Sequence, residues 1–156
     1  DLDAMILAFA GVHRLGLDTR IKQIIPIEIM LPAVAQGAIG IEIRENDAKT
    51  ETLFLQINNF DSWDCISAER SFLHTLEGGC QVPIGGFAFL KNGEIHLSGF
   101  TGSLNGEFVL RESIKGDRND ATALGIELGK RMIEKGANRL LDFTRNVVQK
   151  TPEKVI

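Results

Sequence analysis

The sequence predicts an α+β protein, its helices packed on one face of a three-stranded antiparallel sheet, and three observations carry that reading. Strand-like runs near 84–90, 94–100 and 107–114 are separated by Asn92-Gly93 and Asn105-Gly106, the strongest short-range hairpin signals. A helical pattern carrying Trp63, Ile66, Phe72, Leu73 and Leu76 precedes them. Two more helical patterns follow. One stripes Ala121, Leu124, Leu128 and Met132, and the other Ala137, Leu140, Leu141, Thr144, Val147 and Val148, with Gly136 between them. Helix, three strands and two helices give a meander covered on one face.

The elements follow in chain order. LDAMILAFAGV (Leu2–Val12) has Asp3 as its one polar residue, which predicts an element buried on nearly all sides, since a surface helix keeps a polar face. The run is too short to span a bilayer, and no basic leader with a cleavage site is visible. Met5 lies inside it. Such a segment needs protein around it, so the sequence is expected to be the back part of something longer. Gly11 and Gly16 bracket VHRL, and Pro26 and Pro32 frame IEIML as a linker or strand. Ile39, Ile41 and Ile43 alternate with Gly40, Glu42 and Arg44, the pattern of a strand with one buried face. Ala48–Ile57 reads as a short helix, and Asn58-Asn59 as a domain boundary. From Phe60 the chain looks self-contained. Asp61 or Ser62 is the expected cap of a helix reaching about Leu76, with Gly78-Gly79 as its stop.

Bulk composition narrows the function classes. With 156 residues, 44% of them hydrophobic, the chain can bury a core. A formal charge of −4 argues against general nucleic-acid binding, which needs a basic surface excess. Cys65 and Cys80 are too few for a disulfide framework, and neither they nor the three scattered histidines show metal-ligand spacing. A reducing compartment, the cytoplasm, is expected.

Cys80 is the foremost chemical candidate. It lies in LEGGCQVPIGG (Leu76–Gly86), where flanking glycines remove side-chain bulk and let a large group approach the backbone. The preceding helix presents its negative end to this loop, which would not activate a thiol. The competing reading is a small buried residue in a turn. Cys65, inside a helix, reads as core. Arg14 beside Gly11 could fork onto a carboxylate or simply end a helix. His74 and His96 lack an orienting carboxylate at motif spacing, so neither makes a convincing base for Cys80. Gln36-Gly37 precedes the predicted strand at 39–43 and could face a ligand. KGDRND (Lys115–Asp120) reads as a solvated turn and helix start.

Three stretches together resemble the hydroxymethylbilane synthase family, also called porphobilinogen deaminase: AERSFLHTLEGGCQVPIG (Ala68–Gly85), LPAVAQGAIGIE (Leu31–Glu42) and DAMILAFAGVHRLGL (Asp3–Leu17). The resemblance covers essentially the whole chain. It implies the C-terminal half of a three-domain tetrapyrrole-pathway transferase. Residues 1–31 would be the tail of the second domain and 32–59 the return segment of the first, partial segments of two α/β domains. Residues 60–156 would be the C-terminal cofactor-anchoring domain, a three-stranded sheet covered on one face by three helices. The implied reaction condenses four porphobilinogen units into hydroxymethylbilane with loss of ammonia. The implied cofactor is a dipyrromethane held by a thioether on Cys80, as a permanent anchor. Arg14 falls where the family binds acetate and propanoate groups, Leu7, Ala8 and Gly11 line the wall nearby, and Gln36 and Gly37 lie near the pyrrole rings. The family's catalytic aspartate and most of its carboxylate-binding arginines have no counterpart here, so the chain by itself is expected to be inactive and to need a missing N-terminal half. A non-catalytic domain that binds an anionic ligand or partner, with Cys80 unmodified, is the alternative. No nucleic acid, membrane or metal partner is expected.

Overall fold

The structure, a computed structural model, describes residues 2–76 and 83–141. Its elements are α1 (Phe9–Arg14), α2 (Ala48–Leu55), α3 (Phe60–Thr75), β1 (Ile84–Lys91), β2 (Glu94–Gly102), β3 (Val109–Asp117) and α4 (Ala121–Glu134). Residues 137–141 begin a further helix. The strands form one antiparallel meander in the order β1-β2-β3. Gly86 faces Gly99, and Leu97 faces both Ala88 and Ile114. The predicted Gly78-Gly79 stop, and Thr144, Val147 and Val148, lie outside the described residues.

The two hairpins close differently. Asn92 and Gly93 both take positive φ, 54° and 81°, the two-residue turn whose twist matches the strands. At Asn105-Gly106 only the glycine does so, at 73°. Gly106 N–H bonds Ser103 O at 3.0 Å and Ser103 N–H bonds Phe108 O at 2.9 Å. That wider loop delays β3 to Val109, two residues later than the sequence predicts.

Alternation then sorts the sheet's faces. Ala88, Ile95, Leu97 and Thr101 are buried under the helices, while Phe89, Arg111 and Lys115 lie on the open face. Helix α3 contributes Cys65, Ala68, Phe72 and Leu76 to the core, and α4 contributes Ala121, Leu128 and Met132. Ala137 and Leu141 complete it. The cap of α3 is Asn59, whose Oδ1 accepts from Ser62 N–H at 2.8 Å. Asp61 is instead free to meet Arg118, which also binds Asp64 at the start of the α4 connection.

One expectation for the first third is corrected. No strand forms over 39–43, and Ile39 is 87% exposed. Period-two alternation specifies a face, but a strand also needs a neighbour to complete its ladder, and among the described residues none lies beside this segment. The apolar start, expected to need covering protein from elsewhere, is exposed in this chain. Leu2 is 79% exposed, Met5, Ile6 and Leu7 are exposed with it, and helix is confined to Phe9–Arg14. Burial needs a covering layer, and the described residues provide none over these side chains.

Candidate functional site

The most constructed polar feature of the molecule surrounds Glu69. Helical spacing from Cys65 to Glu69 to Phe72 turns this carboxylate toward the sheet, and only 4% of the residue is exposed. Its two oxygens are both used. Oε1 accepts from Ala88 N–H of β1 at 2.7 Å, and Oε2 accepts from Ala35 N–H at 2.7 Å. Burial pushes its pKa above the ordinary glutamate value, and the two backbone N–H bonds hold that rise back.

Ala35 belongs to the segment LPAVAQG (Leu31–Gly37), which runs along the free edge of β1. Gly86 N–H, pointing out of the sheet, donates to Pro32 O at 3.0 Å. The segment and Glu69 thus satisfy successive outward N–H groups that a bare edge strand would expose. Glycine is what permits the approach. A Cβ on Gly85 would meet Leu31 Cβ and Pro32 O at 3.1 Å, and one on Gly86 would meet Val34 Cγ2 at 3.0 Å. These two glycines therefore make room for the chain's own Leu31–Val34, not for a bulky ligand as the sequence suggests.

The loop carrying Cys80 springs from this region. Its first anchor is Leu76, buried at the end of α3, and its second is Pro83, whose carbonyl accepts from Gly102 N–H at 3.2 Å. Cys80 itself lies outside the described residues. Gln36 and Gly37 follow directly on the residue that Glu69 holds. Ala35 and Gly37 have positive φ, 61° and 86°, in a turn closed by Gln36 N–H to Ala33 O at 3.0 Å. Both Gln36 and Gly37 are exposed, and a Cβ on Gly37 would meet nothing within 4 Å.

Leu7, Ala8, Gly11 and Arg14 form a separate group on α1 and its lead-in, all exposed. Phe9 stacks on His13 with ring centroids 5.7 Å apart, and His13 Nδ1 lies 2.7 Å from Asp18 Oδ1. Arg14 is exposed and has no ion pair among the described residues.

The remaining candidates are placed plainly. Cys65 is buried, and burial, then the charges of Glu69, Asp64 and Asp61, push its thiol pKa up, as befits core. His96 stacks on Phe89 at 5.0 Å on the open face, and His74 is exposed on α3. Among the described residues neither meets a carboxylate, and no cluster of three metal-ligating side chains occurs. KGDRND is a turn only in its second half, which corrects the reading of the whole run as one: Lys115–Asp117 end β3, paired with Glu94–His96, and Arg118–Asp120 make the turn into α4, with Asp117 capping Asn119 N–H at 2.8 Å.

Sequence reasoning missed Glu69 and Arg111. A charged residue set inside an apolar helical stripe was the available signal for Glu69. Arg111 reaches 82 and 83 residues back to donate to Ile29 O at 2.6 Å and Glu28 O at 2.8 Å. Nothing local announces such a partner.

The α+β meander with the Leu31–Gly37 segment on its free edge is a compact lobe, and comparison with known proteins identifies its class. Residues 1–52 match the family model "Porphobilinogen deaminase, dipyromethane cofactor binding domain", and residues 63–134 match "Porphobilinogen deaminase, C-terminal domain". A porphobilinogen deaminase of Chlorobium phaeobacteroides is 46% identical over 145 residues, 90% of this chain and 46% of the relative. Those of Alkaliphilus metalliredigens and Chlorobium luteolum are 45% and 44% identical, covering 90% and 93% of this chain but 45% and 48% of their own lengths. The chain belongs to the porphobilinogen deaminase family. It spans about half the length of the curated relatives it matches. No helix among the described residues is long and apolar enough to cross a membrane.

Proposed function

We propose that this chain supplies the cofactor-anchoring part of a cytoplasmic transferase that condenses four porphobilinogen units into hydroxymethylbilane, releasing ammonia. The observation that carries the reading is the succession of two porphobilinogen deaminase models along one chain, cofactor-binding first and C-terminal second. In this reading residues 1–31 are the tail of a second domain, 32–59 the return segment of a first, and 60–156 the anchoring domain.

Each site residue then has a physical task. The sulfur of Cys80 holds the dipyrromethane as a thioether, a soft-nucleophile bond that stays intact through turnover. Once bound, that group supplies the pyrrole end from which a chain of porphobilinogen units is extended. Arg14, unpaired among the described residues, presents a planar fork suited to acetate and propanoate carboxylates. Leu7, Ala8 and Gly11 form the wall beside it, and Gln36 and Gly37 face the rings. Open space in front of Gly11 and Gly37 supports this fit, since no atom lies within 4 Å of a Cβ built on either.

The catalytic aspartate and most carboxylate-binding arginines belong, in this reading, to the half of the relatives that this chain does not match. Two measurements test it. Intact mass of the chain produced alongside that half is expected to show a two-pyrrole adduct that Cys80→Ser abolishes. The chain alone is expected to form no bilane from porphobilinogen. Bilane formation by the chain alone, or an adduct that survives Cys80→Ser, overturns the proposal.

A further inference from the structure

Glu69 has a task that neither the family match nor the fold requires of it. A buried carboxylate costs free energy unless its oxygens are satisfied, and here both are spent on backbone N–H groups from two separate segments, Ala88 of β1 and Ala35 of the edge segment. Had Glu69 served the core alone, an apolar residue would fill the same stripe without that cost. Ala35 also holds a left-handed conformation, φ 61°, which costs an alanine about 1 kcal/mol or more. Strain of that kind persists where the surroundings over-determine it. Glu69 binds the N–H of the strained residue itself, while Pro32 and Val34 pin the segment on its other side.

We infer that Glu69 is a positioning residue, a latch whose carboxylate ties the Leu31–Gly37 segment to the edge of the cysteine-bearing lobe and so fixes where Gln36 and Gly37 stand. Its consequence for a group tethered at Cys80 rests on the function proposed above. The latch does not, because it is read on the polypeptide whether or not Cys80 carries an adduct.

The test is amide hydrogen exchange of the full chain, resolved residue by residue by NMR, for the wild type, Glu69→Ala and Glu69→Gln. Glu69→Ala removes both acceptors and is expected to speed exchange at both Ala35 and Ala88 about tenfold or more. Glu69→Gln keeps one acceptor oxygen and turns an NH₂ toward the other N–H, so it should speed one of the two and spare its partner. Protection across Ala121–Glu134 is expected to stay unchanged in both variants. Unchanged exchange at Ala35 overturns the inference. Equal acceleration throughout α4 also overturns it, since Glu69 would then support the fold as a whole and hold no particular segment.

Discussion

Residues 60–141 and residues 2–59 differ in what holds them. In the first region two hairpins and two helices enclose a core of twelve buried hydrophobic residues among those described. In the second, Leu31 is the one buried hydrophobic residue among those described, while Leu2, Met5, Ile6, Leu15, Ile39 and Ile57 are exposed. Apolar content does not separate the two, for both are rich in Ile and Leu. The difference is closure: the meander and its helices face one another, whereas most apolar side chains of 2–59, Leu31 and Val34 apart, meet no covering layer among the described residues. What order 2–59 has near the lobe comes from three grips, Arg111 on Glu28 and Ile29, Gly86 on Pro32, and Glu69 on Ala35.

The sharpest way to break this contrast is to open the α3–α4 contact. A Cβ on Gly125 would lie 2.0 Å from Ser71 Oγ, 2.2 Å from Ala68 O and 2.8 Å from Phe72 N, and the two backbone atoms can yield only if the α3 backbone moves. Gly125→Ala is expected to cost about 3 kcal/mol by overpacking. The thermal midpoint of the lobe should fall by at least about 10 °C, followed by near-ultraviolet dichroism. An unchanged midpoint would show that the helices do not rest on this contact.

How much of this was legible from residues follows the same division. The hairpins were legible because Asn-Gly states its own backbone conformation, and Asn92-Gly93 adopts it at both positions. The stripe on α4 was legible because Leu128 and Met132 repeat at the helical period. Both signals are local. Alternation over 39–43 misleads because it says which side would be buried but not whether a neighbouring strand exists. The edge segment's seat on Gly85 and Gly86 was illegible for the complementary reason: glycine announces space, and only the fold shows that Leu31–Val34 fills it. Of the site, the geometry brings the 31–37 segment to the edge of β1 and leaves Arg14 and its neighbours exposed on α1.

A smaller effect sharpens the boundary between the regions. Asn59 closes the first turn of α3 through Ser62 N–H at 2.8 Å, so Asn59→Ala should cost about 1 kcal/mol and lower the midpoint by about 4–8 °C. Asp61→Ala, at the position the sequence suggests for the cap, removes one exposed contact to Arg118 while Asp64 retains that guanidinium. It should therefore cost less. The reverse order of the two midpoints would place the start of the lobe at Asp61.

The smallest expected effect bears most on the comparison. Ile39 is 87% exposed, so Ile39→Ala removes no buried area in this chain. Its unfolding free energy should stay within about 0.5 kcal/mol of the wild type, measured by urea titration. Leu31→Ala is the matched control, since Leu31 is buried and in contact range of Gly85. It should loosen the edge segment and cost about 2 kcal/mol or more. The reasoning is that identical chemistry, loss of aliphatic carbons, has an effect set by what surrounds the side chain. If the chain is produced alongside the half of the relatives it does not match, and Ile39→Ala then becomes costly while Leu31→Ala is unchanged, the open apolar surface of 2–59 has acquired its cover. If Ile39→Ala is costly in the chain alone, the exposure drawn here for 39–43 is wrong, and that segment packs against something in its own sequence.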